Sequence, residues 1–373
     1  MVTYLIYTIV LFLSIYFAYL SGKNIKLILF SYNRNKLDWF YVLSLLFIVT
    51  LAGLRSDQVG TDSENYKSFF LTFSDVNENI FSIFNMYFSI DEPGFLFVNF
   101  ISSKLSGHYT VPFLFLSLIT WVFVFKTINT EKQILFLLIY FAFVTGFFSF
   151  TINGLRQAVA ASIFFYSFQF ITKQKFTKYV LYILLAASFH YSALLLIPIY
   201  FIIHRITNNP ILWFILVIGS STIINLDISF IKLFLPYIPG GYSTYINILE
   251  SQAKNYNTVF SVGFLFQLLI GLFSIYYFSR LNHLYPKYNN IFKASFIYTI
   301  MILLFYSNPV LLRFAAYFHL FQIYVLSIIT KGFIQRNNQL AFSLLFLTFT
   351  ALFYYRLYIN ESNMNPYLFW FQT

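Results

Sequence analysis

Long apolar runs recur from one end of this chain to the other, and they decide what it can fold into. They cover approximately residues 2–20, 37–53, 110–126, 134–150, 155–171, 211–225, 259–279, 294–306, 314–330 and 340–356. A helix needs roughly 17–25 mostly apolar residues to cross the hydrocarbon core of a bilayer, and these runs meet or approach that length. A further apolar stretch between Tyr179 and Ile203 is interrupted at Ser188-Phe189-His190-Tyr191-Ser192. It reads as two short helices meeting at the break. Only 9% of the 373 residues are charged and 59% are hydrophobic. A soluble fold cannot bury that much apolar surface, whereas lipid solvates it and forces the backbone into helices or closed barrels. The expected fold class is all-α: a polytopic integral membrane protein of about 12 transmembrane helices. With no linker, charge run or repeat to divide it, residues 1–373 read as a single transmembrane domain. Residues 2–20 lack a basic leader and a small-residue cleavage site, so they read as a retained span.

Several chemistries drop out on composition. Cys is absent, which removes disulfides, thiolate metal sites and cysteine nucleophiles together. His108, His190, His204, His283 and His319 stand at no helical ligand spacing, and neither a P-loop nor a dinucleotide fingerprint occurs. No metal and no cofactor is expected. The net charge of +11 is spread over short loops rather than gathered in one patch, so nucleic acid is not an expected partner. Phe (52) and Tyr (31) are so frequent that a single aromatic carries little information. The aromatic turn Tyr237-Ile-Pro-Gly-Gly-Tyr242, which could stack on sugar rings, is discounted on that ground.

Charge sets an orientation. Fifteen of the 23 Lys and Arg fall in six loops, 21–36, 126–133, 172–178, 204–210, 280–293 and 331–338. The span count puts all six on one face, which the positive-inside rule makes cytoplasmic. Ten of the 12 acids fall on the other side, seven of them between Asp57 and Glu92. Residues 93–105 are apolar but only 13 long. As a span they would invert every later loop, so they read as an interfacial amphipathic helix on the outer surface. Two long outer segments follow, 54–109 and 226–258, and long segments of this kind are commonly functional.

On this topology the unusual polar residues converge on the outer boundary. Arg55, Asp57, Asp62, Glu64, Asp91 and Glu92 follow the second span, Arg156 and Gln157 begin the fifth, His190 marks the central break, and Arg313 begins the eleventh. Ionisable groups near membrane depth are costly and are functional candidates by default. Arg156 follows the turn Thr151-Ile-Asn-Gly154, and an arginine at a helix start suits an anion such as phosphate. Arg313 follows a similar break, Ser307-Asn-Pro309. His190 can donate to a phosphate or exchange a proton. Asp62 and Glu92, each beside a glycine-containing turn, can take a proton from a hydroxyl or simply shape the turns.

At these residues the chain resembles the EpsG family of Wzy-type polysaccharide polymerases. Leu51-Ala-Gly-Leu-Arg55, Val59-Gly-Thr-Asp62 with Tyr66, and Glu92-Pro-Gly94 resemble its opening signature. Asn153-Gly-Leu-Arg156-Gln-Ala-Val-Ala160 and Ala186-Ala-Ser-Phe-His190-Tyr-Ser192 resemble its central motifs. Arg313-Phe314 and Asn365-Pro-Tyr367 resemble its ending. The resemblance implies an enzyme of the bacterial inner membrane with a GT-C-like helical bundle. Its reaction would move a growing glycan from undecaprenyl diphosphate to the non-reducing end of another lipid-linked oligosaccharide repeat unit, on the outer face. Arg156, Arg313 and Arg55, with Tyr66 and Gln157, would bind substrate; Asp62, Glu92 or His190 would take the acceptor's proton. The partners implied are the undecaprenyl-diphosphate-linked oligosaccharide, the bilayer, and a chain-length regulator and flippase of the same pathway. The alternatives are a flippase for the same lipid-linked unit, an O-antigen ligase, and a membrane acyltransferase. A flippase would need polar groups through the depth of the bundle, whereas these gather at one boundary.

Overall fold

The computed structural model describes residues 2–23, 38–74, 92–222, 262–281, 286–306 and 309–372. Asp91, Ser307, Asn308, the turn 237–242 and the whole outer segment 226–258 lie outside the described residues. The described chain is helical, with a single isolated bridge between Arg55 and Phe369. The helices in order are α1 (Val2–Gly22), α2 (Trp39–Gly53), α3 (Ser63–Ser74), α4 (Pro93–Leu105), α5 (Thr110–Ile128), α6 (Leu135–Val144), α7 (Phe147–Asn153), α8 (Leu155–Thr172) and α9 (Phe176–Ala187). After them come α10 (Ile199–Arg205), α11 (Pro210–Thr222), α12 (Val262–Leu281), α13 (Asn289–Leu304), α14 (Pro309–Gln335) and α15 (Gln339–Tyr358).

This is a multi-pass membrane protein, but the expected count of about 12 spans needs correction. Among the described residues five helical stretches are long and apolar enough to cross a membrane: Val2–Gly22, Thr110–Val144, Val262–Arg280, Leu311–Gln335 and Gln339–Tyr358. The other apolar runs are cut short by local chemistry. Trp39–Gly53, Phe176–Ala187, Tyr191–Arg205 and Pro210–Thr222 are apolar helices of fewer than 18 residues. Gly146, at φ +97°, stops the run 134–150 just after Val144. Helix α8 has 18 residues but carries Arg156, Gln157 and Gln169. The break at 188–192 is present: α9 ends at Ala187, His190 is extended at φ −158° and ψ 110°, and a 3-10 turn runs Tyr191–Leu196. Helix α4 forms over the 13 residues expected.

Small residues let the central helices approach. Ala158, Ala160, Ala161 and Ser162 of α8 are fully buried, and α8 packs against α5, α9 and α14. In lipid such packing relies on close van der Waals contact rather than on exclusion of water. Helix α14 is the most enclosed of the five long stretches.

The basic loops meet at one end of the bundle. Lys132 Nζ lies 2.7 Å from Asp38 Oδ2, which also accepts from Ser21 Oγ at 2.7 Å. Glu131 accepts from Lys287 Nζ at 2.8 Å and from the phenols of Tyr288 and Tyr324 at 2.9 and 3.1 Å. Lys331 Nζ donates to Gln133 Oε1 at 3.0 Å, while His204 contacts both the Ile171 carbonyl and Asn290. Asp38 and Glu131, the two acids that the sequence leaves on this side, are therefore the ones that knit its loops together.

Candidate functional site

The opposite end is built from the turns that break the apolar runs. Residues 54–62 cross it as a loop held by the segment 360–370. Ser56 N donates to the Leu368 carbonyl at 2.8 Å, Gly60 N to that of Asn363 at 2.8 Å, and Trp370 N to that of Leu54 at 3.1 Å. Gly60 sits at φ +97°, and a Cβ there would lie 2.7 Å from both Asn153 Oδ1 and Ile152 Cγ2. No other residue fits that conformation and that gap together. The loop ends at Asp62 and enters α3, which carries Tyr66.

Gly154 separates α7 from α8 and delivers Arg156 and Gln157 at the start of α8. Gly94 N donates to the Ser188 carbonyl at 2.6 Å, and a Cβ on Gly94 would meet Ser188 Oγ at 2.5 Å. That close approach docks the start of α4 on the broken helix and puts Glu92 beside His190. Glu92 Oε1 lies 3.0 Å from His190 Nδ1, and Glu92 Oε2 accepts from Arg156 Nη1 at 2.7 Å. The Arg156 guanidinium also lies 5.0 Å from the Phe95 ring centroid. Gln157 Nε2 donates to the Arg313 carbonyl, so α14 is tied to the start of α8.

These residues surround a cavity of about 460 Å³, lined by Asp62, Tyr66, Arg156, Gln157, His190 and Arg313 together with Thr61, Asn65, Phe150, Asn153 and Gly154. Sites for small ligands span roughly 300–1,000 Å³. Six of the eight residues expected at the site thus share one cavity. Glu92 is not on its lining; it lies behind Arg156 and His190 and is only 4% exposed. Burial works to raise the Glu92 carboxyl, but the His190 hydrogen bond and the Arg156 charge outweigh it and hold the group below its ordinary value. Burial likewise raises the Tyr66 phenol, with Arg156 and Arg313 pulling it back.

Arg55 stands apart. It is fully buried, with its guanidinium 4.2 Å from the Phe113 ring centroid. Its Nε donates to Ser63 Oγ at 3.2 Å, Nη2 to the Ile152 carbonyl at 3.0 Å, and Nη1 to the Ala52 carbonyl. Ala52 and Ile152 are in the last turns of α2 and α7, where unpaired carbonyls favour a cation. Burial pulls its pKa down to about 10, which leaves it charged at neutral pH. Asp57 pairs with Lys67 at 2.8 Å and does not line the cavity either.

Asn153 is the residue whose part the sequence did not announce. Its Oδ1 accepts from Thr61 N at 2.6 Å and its Nδ2 donates to the Ser362 carbonyl at 3.3 Å. The signal was present, an Asn directly before a glycine at a helix break, but it reads equally as a simple turn. The terminal motif also has a structural part here: Asn365 N donates to Asn360 Oδ1 at 2.8 Å, and the Tyr367 hydroxyl to the Leu51 carbonyl. Among the described residues no three His, Asp or Glu come together in a group able to hold a metal ion.

Chemically, the cavity offers two arginines, a phenol and three side-chain amides for an anionic, hydroxyl-rich ligand, and an imidazole backed by a carboxylate for proton transfer. Neither a search of curated proteins nor one of solved structures found a match. A family model does match over residues 38–369, which takes in every residue of the cavity. On that match the chain belongs to the EpsG family, consistent with a Wzy-type polysaccharide polymerase.

Proposed function

We propose that this chain is an oligosaccharide repeat-unit polymerase. It moves a growing glycan from undecaprenyl diphosphate to the non-reducing end of another lipid-linked repeat unit, at the outer face of the bacterial inner membrane. Family membership supports the reaction class, and the lysine-bearing loops gathered at the far end of the bundle support the orientation. The GT-C-like architecture belongs to the same reading.

The observation that carries the assignment is the Glu92 carboxylate between His190 and Arg156, directly behind a cavity that also holds Arg313. An ionised carboxylate only accepts hydrogen bonds, so His190 Nδ1 donates to Glu92, and in the neutral ring Nε2 then carries the lone pair. His190 takes the proton of the acceptor hydroxyl as its oxygen bonds to the anomeric carbon. The bond from that carbon to the diphosphate breaks, and its electron pair leaves with the diphosphate. Arg156 and Arg313 stabilise the charge on that leaving group, and Glu92 holds the imidazole and stabilises its cation. Asp62 and Tyr66, on the same cavity lining, orient the sugar. The donor bond is already activated, so no nucleotide is required.

The deciding experiment is the surface polysaccharide of a deletion strain complemented with wild type or with His190→Gln. A polymerase defect leaves single repeat units on the surface; a flippase defect leaves none. Long polymer from the His190→Gln strain at normal protein level would remove the histidine from the chemistry.

A further inference from the structure

The basic end of the bundle carries a second, chemically different recess. A cleft of about 250 Å³ lies between the ends of α12 and α14 and takes Arg280, Lys331 and Arg336 into its walls, with Tyr277 and Tyr288 beside them. No carboxylate lines it. Glu131, which shares Tyr288 with this region, is already engaged by Lys287, Tyr288 and Tyr324. The cleft adjoins an apolar groove of about 570 Å³ between α12, α14 and α15, and Tyr277 and Phe333 line both. The groove wall is almost entirely aliphatic and aromatic, and Leu269 and Leu344 on it are 62% and 58% exposed.

We infer that this compound recess is a binding site for one anionic phospholipid of the bilayer, its phosphate among Arg280, Lys331 and Arg336 and its acyl chains along the groove. Two features separate it from ordinary lipid-facing surface. It is concave, and its apolar part ends in a cleft walled by three cations. Basic pockets between helices at the membrane surface select anionic headgroups, and guanidinium groups match phosphate oxygens with paired donors. The phosphate and the chains are then recognised by adjoining surfaces, as one amphipathic molecule requires. A bound lipid would fill the space that separates α15 from α12. This site lies at the opposite end from the glycan cavity and does not rest on the polymerase reading.

The test is native mass spectrometry of the full-length protein with equimolar phosphatidylglycerol and phosphatidylethanolamine, followed by addition of a polyprenyl phosphate. The expected result is a marked excess of phosphatidylglycerol adducts. Arg336→Gln should weaken that preference roughly fivefold, the worth of one cation near an anionic surface. Ala341→Trp, which fills the groove without touching a charge, should reduce adducts of both lipids. Each variant is checked for an unchanged unfolding temperature in lipid-free micelles. Equal binding of the two lipids by wild type would overturn the inference, whatever the variants do. So would a preference unaltered in folded Arg336→Gln, undiminished adducts in folded Ala341→Trp, or displacement of phosphatidylglycerol by polyprenyl phosphate at equal concentration, which would assign the recess to the carrier lipid instead.

Discussion

Glu92 Oε1 lies 3.0 Å from His190 Nδ1, across 98 residues of sequence. The contact joins the start of a short helix to the break in another, and it distinguishes two of the three candidate bases. The carboxylate is buried and occupied by Arg156 as well, whereas the imidazole is on the cavity wall. His190→Gln should therefore lower polymerisation by roughly 10²–10⁴, the usual worth of a general base. Glu92→Gln should lower it less and change the pH profile of what remains. Single-turnover assays on purified lipid-linked repeat units measure both; a larger loss in Glu92→Gln than in His190→Gln would reverse the roles.

Arg156→Ala should abolish visible polymer while the protein still inserts. Removing one donor from the stabilisation of a developing anion costs roughly 10²–10³ in rate. Arg156→Lys keeps the charge but loses the planar fork and should recover only part of the activity. The polysaccharide ladder against the amount of protein in the membrane fraction reads this directly, and wild-type ladders from Arg156→Ala would take Arg156 out of the site.

Arg55 should behave in the opposite way. Its donors go to Ala52, Ile152 and Ser63, so Arg55→Lys should cost stability, roughly 1.5–3 kcal/mol for lost bonds to a charged group. The expected phenotype is less protein in the membrane with near-normal activity per molecule. Normal abundance with no activity would instead return Arg55 to substrate binding.

Acidification offers an independent check on Glu92. Its carboxyl lies below the ordinary value when folded, so its stabilising contribution is complete above the unfolded-state pKa of roughly 4.3 and is lost as pH falls through the lower folded value. Thermal unfolding between about pH 6 and pH 3 should therefore fall more steeply for wild type than for Glu92→Gln. Parallel curves would mean that the carboxylate has no net folded-state partner.

How much of this could be read from sequence varies by level. The helical membrane class follows from the length and recurrence of the apolar runs, and the kink at His190 and the short helix 93–105 follow from interruptions in that pattern. So does the gathering of Asp62, Tyr66, Arg156, Gln157, His190 and Arg313, because polar groups stranded between apolar runs have few places to go in a bilayer. The span count was not legible. A hydropathy run does not reveal that Gly146 takes a positive φ or that α8 starts only at Leu155, so that Arg156 and Gln157 occupy its first turn. Nor does sequence tell an arginine that holds an anion from one that caps two helices: Arg55 and Arg156 follow similar glycine-containing turns, and only the positions of the Ala52 and Ile152 carbonyls separate them. The pairing of Asn153 with Thr61 and Ser362 depends on segments about 90 and 210 residues away, which no local pattern encodes.

The strap that holds the Asp62 loop has a consequence for biogenesis. Gln58 is secured by Asn363, 305 residues downstream, so while the chain is being threaded into the membrane the loop emerges long before its partner is translated. The support of the wall that carries Asp62 and Tyr66 is therefore acquired only after the intervening helices have been made, so this end of the cavity takes its shape late in insertion.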